Sequence, residues 1–211
     1  VQKRRGMFRM WNVVLLSVAF VLAQFGMFIN RGGPVVSVHS FGASTLGIIF
    51  LAFMLFSLAF ALIVFFWRFN DLKSDRPLES FLSREASFLM NNFLLLGIVG
   101  VTLWGVLFPL ASEFAQEETV TVSAPYFNHI NGPMLLALVL LMGVGPVLPW
   151  RRANRASLKR WLLWPALLAI TALAGMAASG LEKPIALFSF SVLVFVVTSI
   201  GQEWYRGTMA R

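Results

Sequence analysis

Six long apolar runs, separated by polar and mostly basic segments, constrain this 211-residue chain more than any other feature. They are Met10–Ile29, Leu46–Trp67, Phe88–Leu110, Met134–Trp150, Trp161–Ser179 and Ile185–Gln202. A helix needs roughly 20 mostly apolar residues to cross a bilayer. No water reaches backbone N–H and C=O groups in hydrocarbon, so a spanning segment must pair them internally. The runs are continuous rather than alternating, which sets aside a β-barrel. The sequence therefore predicts an all-α fold, a polytopic transmembrane helix bundle of about six spans forming a single transmembrane domain over 1–211. Only 12% of residues are charged, against about 25% in soluble domains. The first run exceeds the roughly 7–15 residues of a signal-peptide core, and Asn30-Arg31-Gly32-Gly33-Pro34 is a poor cleavage site. It reads as a span. The chain begins at Val1 rather than Met, which points to processing or to a piece of a longer reading frame.

The formal net charge of +8 invites a nucleic-acid reading. The positions of the cations point elsewhere. Fifteen of the seventeen Lys and Arg residues lie before the first run, between the second and third, between the fourth and fifth, or after the sixth. Only Arg31 and Lys183 fall in the alternate segments. By the positive-inside rule the fifteen are cytoplasmic, and both termini with them. The lipid bilayer is thus the first partner, and no nucleic acid is expected. Trp11, Trp67, Trp150, Trp161 and Trp164 fall at the same predicted interface, as an aromatic belt does.

Gly143, Gly145, Pro146 and Pro149 should kink or end the fourth helix, with neighbouring helices taking up the freed carbonyls. Gly97, Gly100 and Gly105 should allow close helix approach. Asn91 and Asn92 either line an internal site or bond between helices, the second being the commoner case. No Asp, Glu, Lys or Arg lies within the six runs, which counts against a proton-coupled transporter or voltage sensor. Neither a Walker motif nor a HExxH pair is present. With no cysteine, the chain has no disulfide, thiolate metal site or catalytic thiol of its own. No catalytic residue is assigned.

Three segments are expected outside the cytoplasm: Asn30–Thr45, Ala111–Pro133 and the tight turn Gly180–Pro184. Thr119–Ser123 alternates as a short strand would. Both histidines of the chain, His39 and His129, fall in these segments. Histidine is the usual proximal ligand of haem iron. The apolar neighbours Val35, Val36, Val38 and Phe41 suit a flat hydrophobic cofactor. From spacing alone a solvent-facing loop histidine is the plainer reading of His39, and His129 has less support. Arg31 reads either as a clamp on an anionic group or as a snorkelling side chain at the headgroups.

The run Gln2-Lys3-Arg4-Arg5-Gly6-Met7-Phe8-Arg9-Met10-Trp11-Asn12 resembles a cytoplasmic stretch of the CcmF/NrfE family, the haem lyase subunits of bacterial cytochrome c maturation. Ser37-Val38-His39-Ser40-Phe41 resembles the family's Ser-Val-His-Ala-Phe segment. Ser83-Arg84-Glu85-Ala86-Ser87-Phe88-Leu89-Met90-Asn91-Asn92 and Gly143-Val144-Gly145-Pro146-Val147-Leu148-Pro149-Trp150-Arg151 are similar to further family segments, in order along the chain. Asn30 and Gly32 depart from the common pattern.

The resemblance implies a multi-pass protein of the bacterial inner membrane whose working loops face the periplasm. It implies that haem b is held there and presented for thioether attachment to apocytochrome c. His39 matches the second periplasmic haem-iron ligand of the family, and Arg31 becomes a possible propionate contact. A haem chaperone and other cytochrome c maturation membrane subunits are the implied partners. The first periplasmic histidine, a Trp-rich segment and the membrane histidines would lie before Val1 or after Arg211. The chain then corresponds to the middle of such a subunit and is expected to be inactive alone. A structural membrane scaffold and a haem transport or export module are the competing readings.

Overall fold

A computed structural model of the protein describes residues 8–32, 45–73, 80–150 and 154–209. Its elements are α1 (Arg9–Gly32), α2 (Thr45–Trp67), the single turn α3 (Phe69–Leu72), α4 (Arg84–Gln116), α5 (Ala124–Val144), a 3₁₀ turn Gly145–Val147, α6 (Arg155–Ala178) and α7 (Pro184–Met209). Six of these helices are long and apolar enough to cross a membrane, so the predicted all-α polytopic bundle holds. No strand occurs among the described residues.

One helix boundary and one expected strand differ from expectation. The fourth helix begins at Ala124 rather than near Met134. The polar run Asn128-His129-Ile130-Asn131 and the Gly132-Pro133 pair looked like a loop, but Pro133 lies inside the helix. Ser123 is extended at the N-cap, and a proline stands in the first turn, where its missing N–H costs nothing. His129 is therefore an exposed helical residue rather than part of a loop. Thr119–Ser123 is irregular rather than a strand. Its conformation answers to a side chain: the buried Ser112 hydroxyl accepts from the Val120 N–H at 2.9 Å and donates to the Pro109 carbonyl at 2.9 Å.

The chain divides into two units, Val1–Pro77 with Pro109–Val120, and Leu78–Phe108 with Thr121–Arg211. Helix α4 contributes to both, and the division falls at its internal Pro109.

In the first unit α1 packs against α2. Their shared polar link is the buried Gln24, whose amide donates to the Ser57 hydroxyl at 3.3 Å. Ser57 in turn donates to the Phe53 carbonyl at 2.7 Å. Arg9 opens α1, and Arg68 and Lys73 follow α2, so these cations share one end. Arg31 stands at the other.

In the second unit α7 packs against α5 and α6. Lipid tails are as apolar as leucine, so small residues and polar links, not burial of oil, draw such helices together. Gly143 shows this: a Cβ there would lie 3.0 Å from Val196 Cγ2 and 3.1 Å from Val196 Cα. The almost fully buried Ser199 donates to the Gly143 carbonyl at 2.6 Å. That carbonyl is near the helix end, where intrahelical donors run out. Asn131 donates to the Thr102 hydroxyl at 3.2 Å, tying α5 to α4. Gly97 and Gly105 face Met134 and Phe127, whereas Gly100 faces open space. Close approach is thus served by two of the three glycines. Ser191 and Thr198 return their hydroxyls to carbonyls four residues back, both at 2.7 Å, which satisfies them within α7.

Replacing Gly143 with leucine places carbon against the Val196 backbone, which cannot move aside without shifting α7. A loss of about 1–3 kcal/mol is expected, read as a lower midpoint of thermal unfolding in detergent. Ser199→Ala should cost less, about 0.6 kcal/mol and at most about 1.7. Equal stability of Gly143→Leu and the unaltered protein would contradict the α5–α7 contact.

Candidate functional site

The two candidate residues expected from the sequence, Arg31 and His39, fall in and beside the segment joining α1 to α2. Arg31 is exposed in the last turn of α1, where a cation complements the negative end of the helix dipole. Gly32 follows with φ 154°, a positive value that glycine adopts at no Cβ penalty. Across from it, a Cβ on Gly47 would lie 2.9 Å from Gly32 Cα and 3.1 Å from the Arg31 carbonyl oxygen. Two glycines therefore let the end of α1 and the first turn of α2 touch. This contact fixes both ends of the connecting segment to one point of the unit. His39 lies between those ends and outside the described residues.

Gly47 was missed in the sequence, where it reads as an ordinary residue inside an apolar run. Its signal was available only as a pair: a glycine near the start of one span and another at the end of the preceding one. Ser112 was missed for a similar reason, since nothing in its neighbours announces the bond to Val120.

His129 belongs to the second unit and stands exposed on α5. Among the described residues no group of three or more His, Cys, Asp or Glu side chains could hold a metal ion.

The basic ends of the helices carry a consistent pattern of cation on aromatic ring. Arg68 lies 5.8 Å from the Trp67 ring centroid, and Lys73 5.3 Å from that of Phe69. In the second unit Arg84 lies 5.4 Å from Trp150, Arg160 5.5 Å from Trp161 and Arg206 3.0 Å from the same ring. Such pairs hold charge and ring together at a membrane–water boundary. Trp67 and Trp161, two of the tryptophans expected in an interfacial belt, are among the rings that carry these cations. The cations of the second unit also gather at one end, with Lys183 at the other.

No family model matches the chain. Individual proteins do. It is 35% identical over 184 residues to the cytochrome c-type biogenesis protein ccl1 of Rhodobacter capsulatus, covering 85% of this chain and 28% of that one. It is 31% identical over 160 residues to the cytochrome c-type biogenesis protein CcmF of Haemophilus influenzae, covering 75% of this chain and 24% of that one. The protein NrfE of the same organism is 30% identical over 171 residues, covering 79% of this chain and 27% of the relative. A solved structure titled Cytochrome c Heme Lyase CcmF superposes with a TM-score of 0.69 at 30% identity, over 100% of this chain and 30% of that one. The chain thus spans about a quarter of the length of the curated relatives it matches. Sequence likeness over most of the chain, joined to likeness of fold over all of it, makes this a member of the CcmF/NrfE family of cytochrome c-type biogenesis proteins.

Proposed function

We propose that the chain forms the central part of a haem lyase subunit of cytochrome c maturation, with haem b as the molecule it holds and apocytochrome c as the acceptor. The observation that carries this reading is the likeness over 100% of the chain to a structure named as a haem lyase. The segment bearing His39 is the working part, and its two ends are pinned by the Gly32–Gly47 contact.

The residues at hand suit one side of a haem. His39 would offer an imidazole nitrogen to iron, and Arg31, an exposed residue at a helix end, would offer its guanidinium to a propionate. The described residues of this unit include no histidine, and a second iron ligand would come from elsewhere in the full protein. Bound haem supplies the two vinyl groups to which apocytochrome thiols add, forming thioether bonds. The chain's own residues would orient it: His39 would hold the iron and Arg31 a propionate, with the Gly32–Gly47 contact anchoring the two ends of the segment between α1 and α2. Because the chain has no cysteine, none of its own thiols competes with the substrate's.

The basic ends of both units lie in the cytoplasm, with both termini, and the His39 segment lies on the periplasmic side of the bacterial inner membrane. A haem chaperone delivers haem there, and other membrane subunits of cytochrome c maturation bring the apocytochrome. This stretch by itself, without the remaining ligands, is inactive.

In the full-length protein His39→Ala should lower the yield of matured cytochrome c at least about tenfold, in line with the loss of a metal-site group. Arg31→Gln should act in the same direction and more weakly, as loss of one charge-assisted bond. Normal yield and unchanged haem content in His39→Ala would sink the assignment. Sidedness is tested separately, in a full-length protein cleared of any cysteine outside this chain, which has none of its own. A single cysteine at Ser123 should react with a membrane-impermeant maleimide in intact spheroplasts, and one at Asn154 only after lysis. The reverse pattern would invert the topology.

A further inference from the structure

At the basic end of the second unit, two adjoining clefts share Arg84, Pro146 and Glu203. One, of about 650 Å³, runs along α4, α5 and α7 and is walled by Phe88, Leu141, Met142 and Ile200, with Ser87 and Asn91 at its side. The other, of about 400 Å³, opens beside Asn154, Trp161 and Arg206. Together they form an apolar groove that ends in a charged mouth.

Arg84 is the central group. Its backbone N–H donates to the Pro149 carbonyl at 2.9 Å. Its Nη2 donates to the Pro146 carbonyl, and its guanidinium lies against Trp150. These contacts fix its plane. Its Nε is buried without a hydrogen-bond partner, and no carboxylate pairs with it among the described residues. Arg206, which lines the second cleft together with Arg84, rests on Trp161 and pairs with Glu203 at 3.1 Å. Two guanidiniums and one carboxylate leave the mouth with one uncompensated positive charge. A phosphodiester carries one negative charge, and its oxygens match the fork of an arginine. The apolar wall has no function for a free phosphate, but it suits an acyl chain, and Ser87 and Asn91 add polar groups to the same cleft.

We propose that this groove is a binding site for an anionic phospholipid, with the headgroup phosphate held between Arg84 and Arg206 and one acyl chain along Phe88, Met142 and Ile200. Basic pockets between transmembrane helices are suited to such headgroups. The site is independent of the haem-bearing segment and stands whether or not that reading does.

The test uses the full-length protein in nanodiscs of equimolar phosphatidylglycerol and phosphatidylcholine, with retained lipid counted by native mass spectrometry. Phosphatidylglycerol should be retained about tenfold over phosphatidylcholine. The double variant Arg84→Gln with Arg206→Gln should abolish that preference. Lys159→Gln, which removes an exposed cation at the same end but outside the groove, should leave it intact. Ile200→Trp fills the apolar half with both arginines in place and should expel the lipid, which keeps the proposal testable if the double variant fails to fold. Preference unchanged in a folded double variant, or in Ile200→Trp, would overturn it. Displacement of the lipid by millimolar inorganic phosphate would mark a phosphate site instead. Loss of Soret absorbance in Arg84→Gln would mark haem as the occupant, and either result would also overturn it.

Discussion

Every backbone carbonyl that a helix cannot satisfy must find a donor before it meets hydrocarbon, and this requirement organises the second unit. Helix α5 ends at Val144, where Gly145 and Pro146 tighten the chain into a 3₁₀ turn. The carbonyls left over are then distributed. That of Gly143 goes to Ser199 of α7, and those of Pro146 and Pro149 go to the side chain and backbone of Arg84 at the start of α4. One helix end thus becomes the place where three helices are tied. The residues that make the ties are the ones a hydropathy profile treats as interruptions.

The same condition explains the thin interior. Few apolar side chains are buried, Val192 and Val196 of α7 among them, while phenylalanines and leucines cover the outer faces. In water such a surface would aggregate; in a bilayer it is solvated. Specificity of packing therefore rests on contacts that lipid cannot imitate, such as Gly143 against Val196 and Gln24 against Ser57.

Span number and helical class could be read from the sequence because both follow from length and hydropathy alone. The ending of α5 could be read as well, since Gly and Pro act locally. The start of α5 could not. Asn128, His129 and Asn131 are polar, but a helix end near the membrane surface tolerates polar side chains as long as its backbone is paired. The strand expected at Thr119–Ser123 failed because alternation needs a partner strand, and Ser112 offered that stretch a hydroxyl instead. For the site, Arg31 stands at the helix end that the sequence implied, and His39 lies outside the described residues. The resemblance carried the haem assignment; spacing alone favoured an ordinary loop histidine. Arg84 was counted only as a topological charge, because its tethering depends on carbonyls more than sixty positions away.

The contact of Gly32 with Gly47 has a consequence for how this segment can change. Holding both ends at one point means that the helix pair, not the connecting residues, carries the cost of closing the loop. That cost grows only slowly with length, about 0.6 kcal/mol for each doubling. Residues could be inserted or removed between positions 33 and 44 with little penalty to the bundle. The glycine pair is not open to change in that way, because a carbon added at Gly47 would meet the Gly32 backbone and force the helices apart.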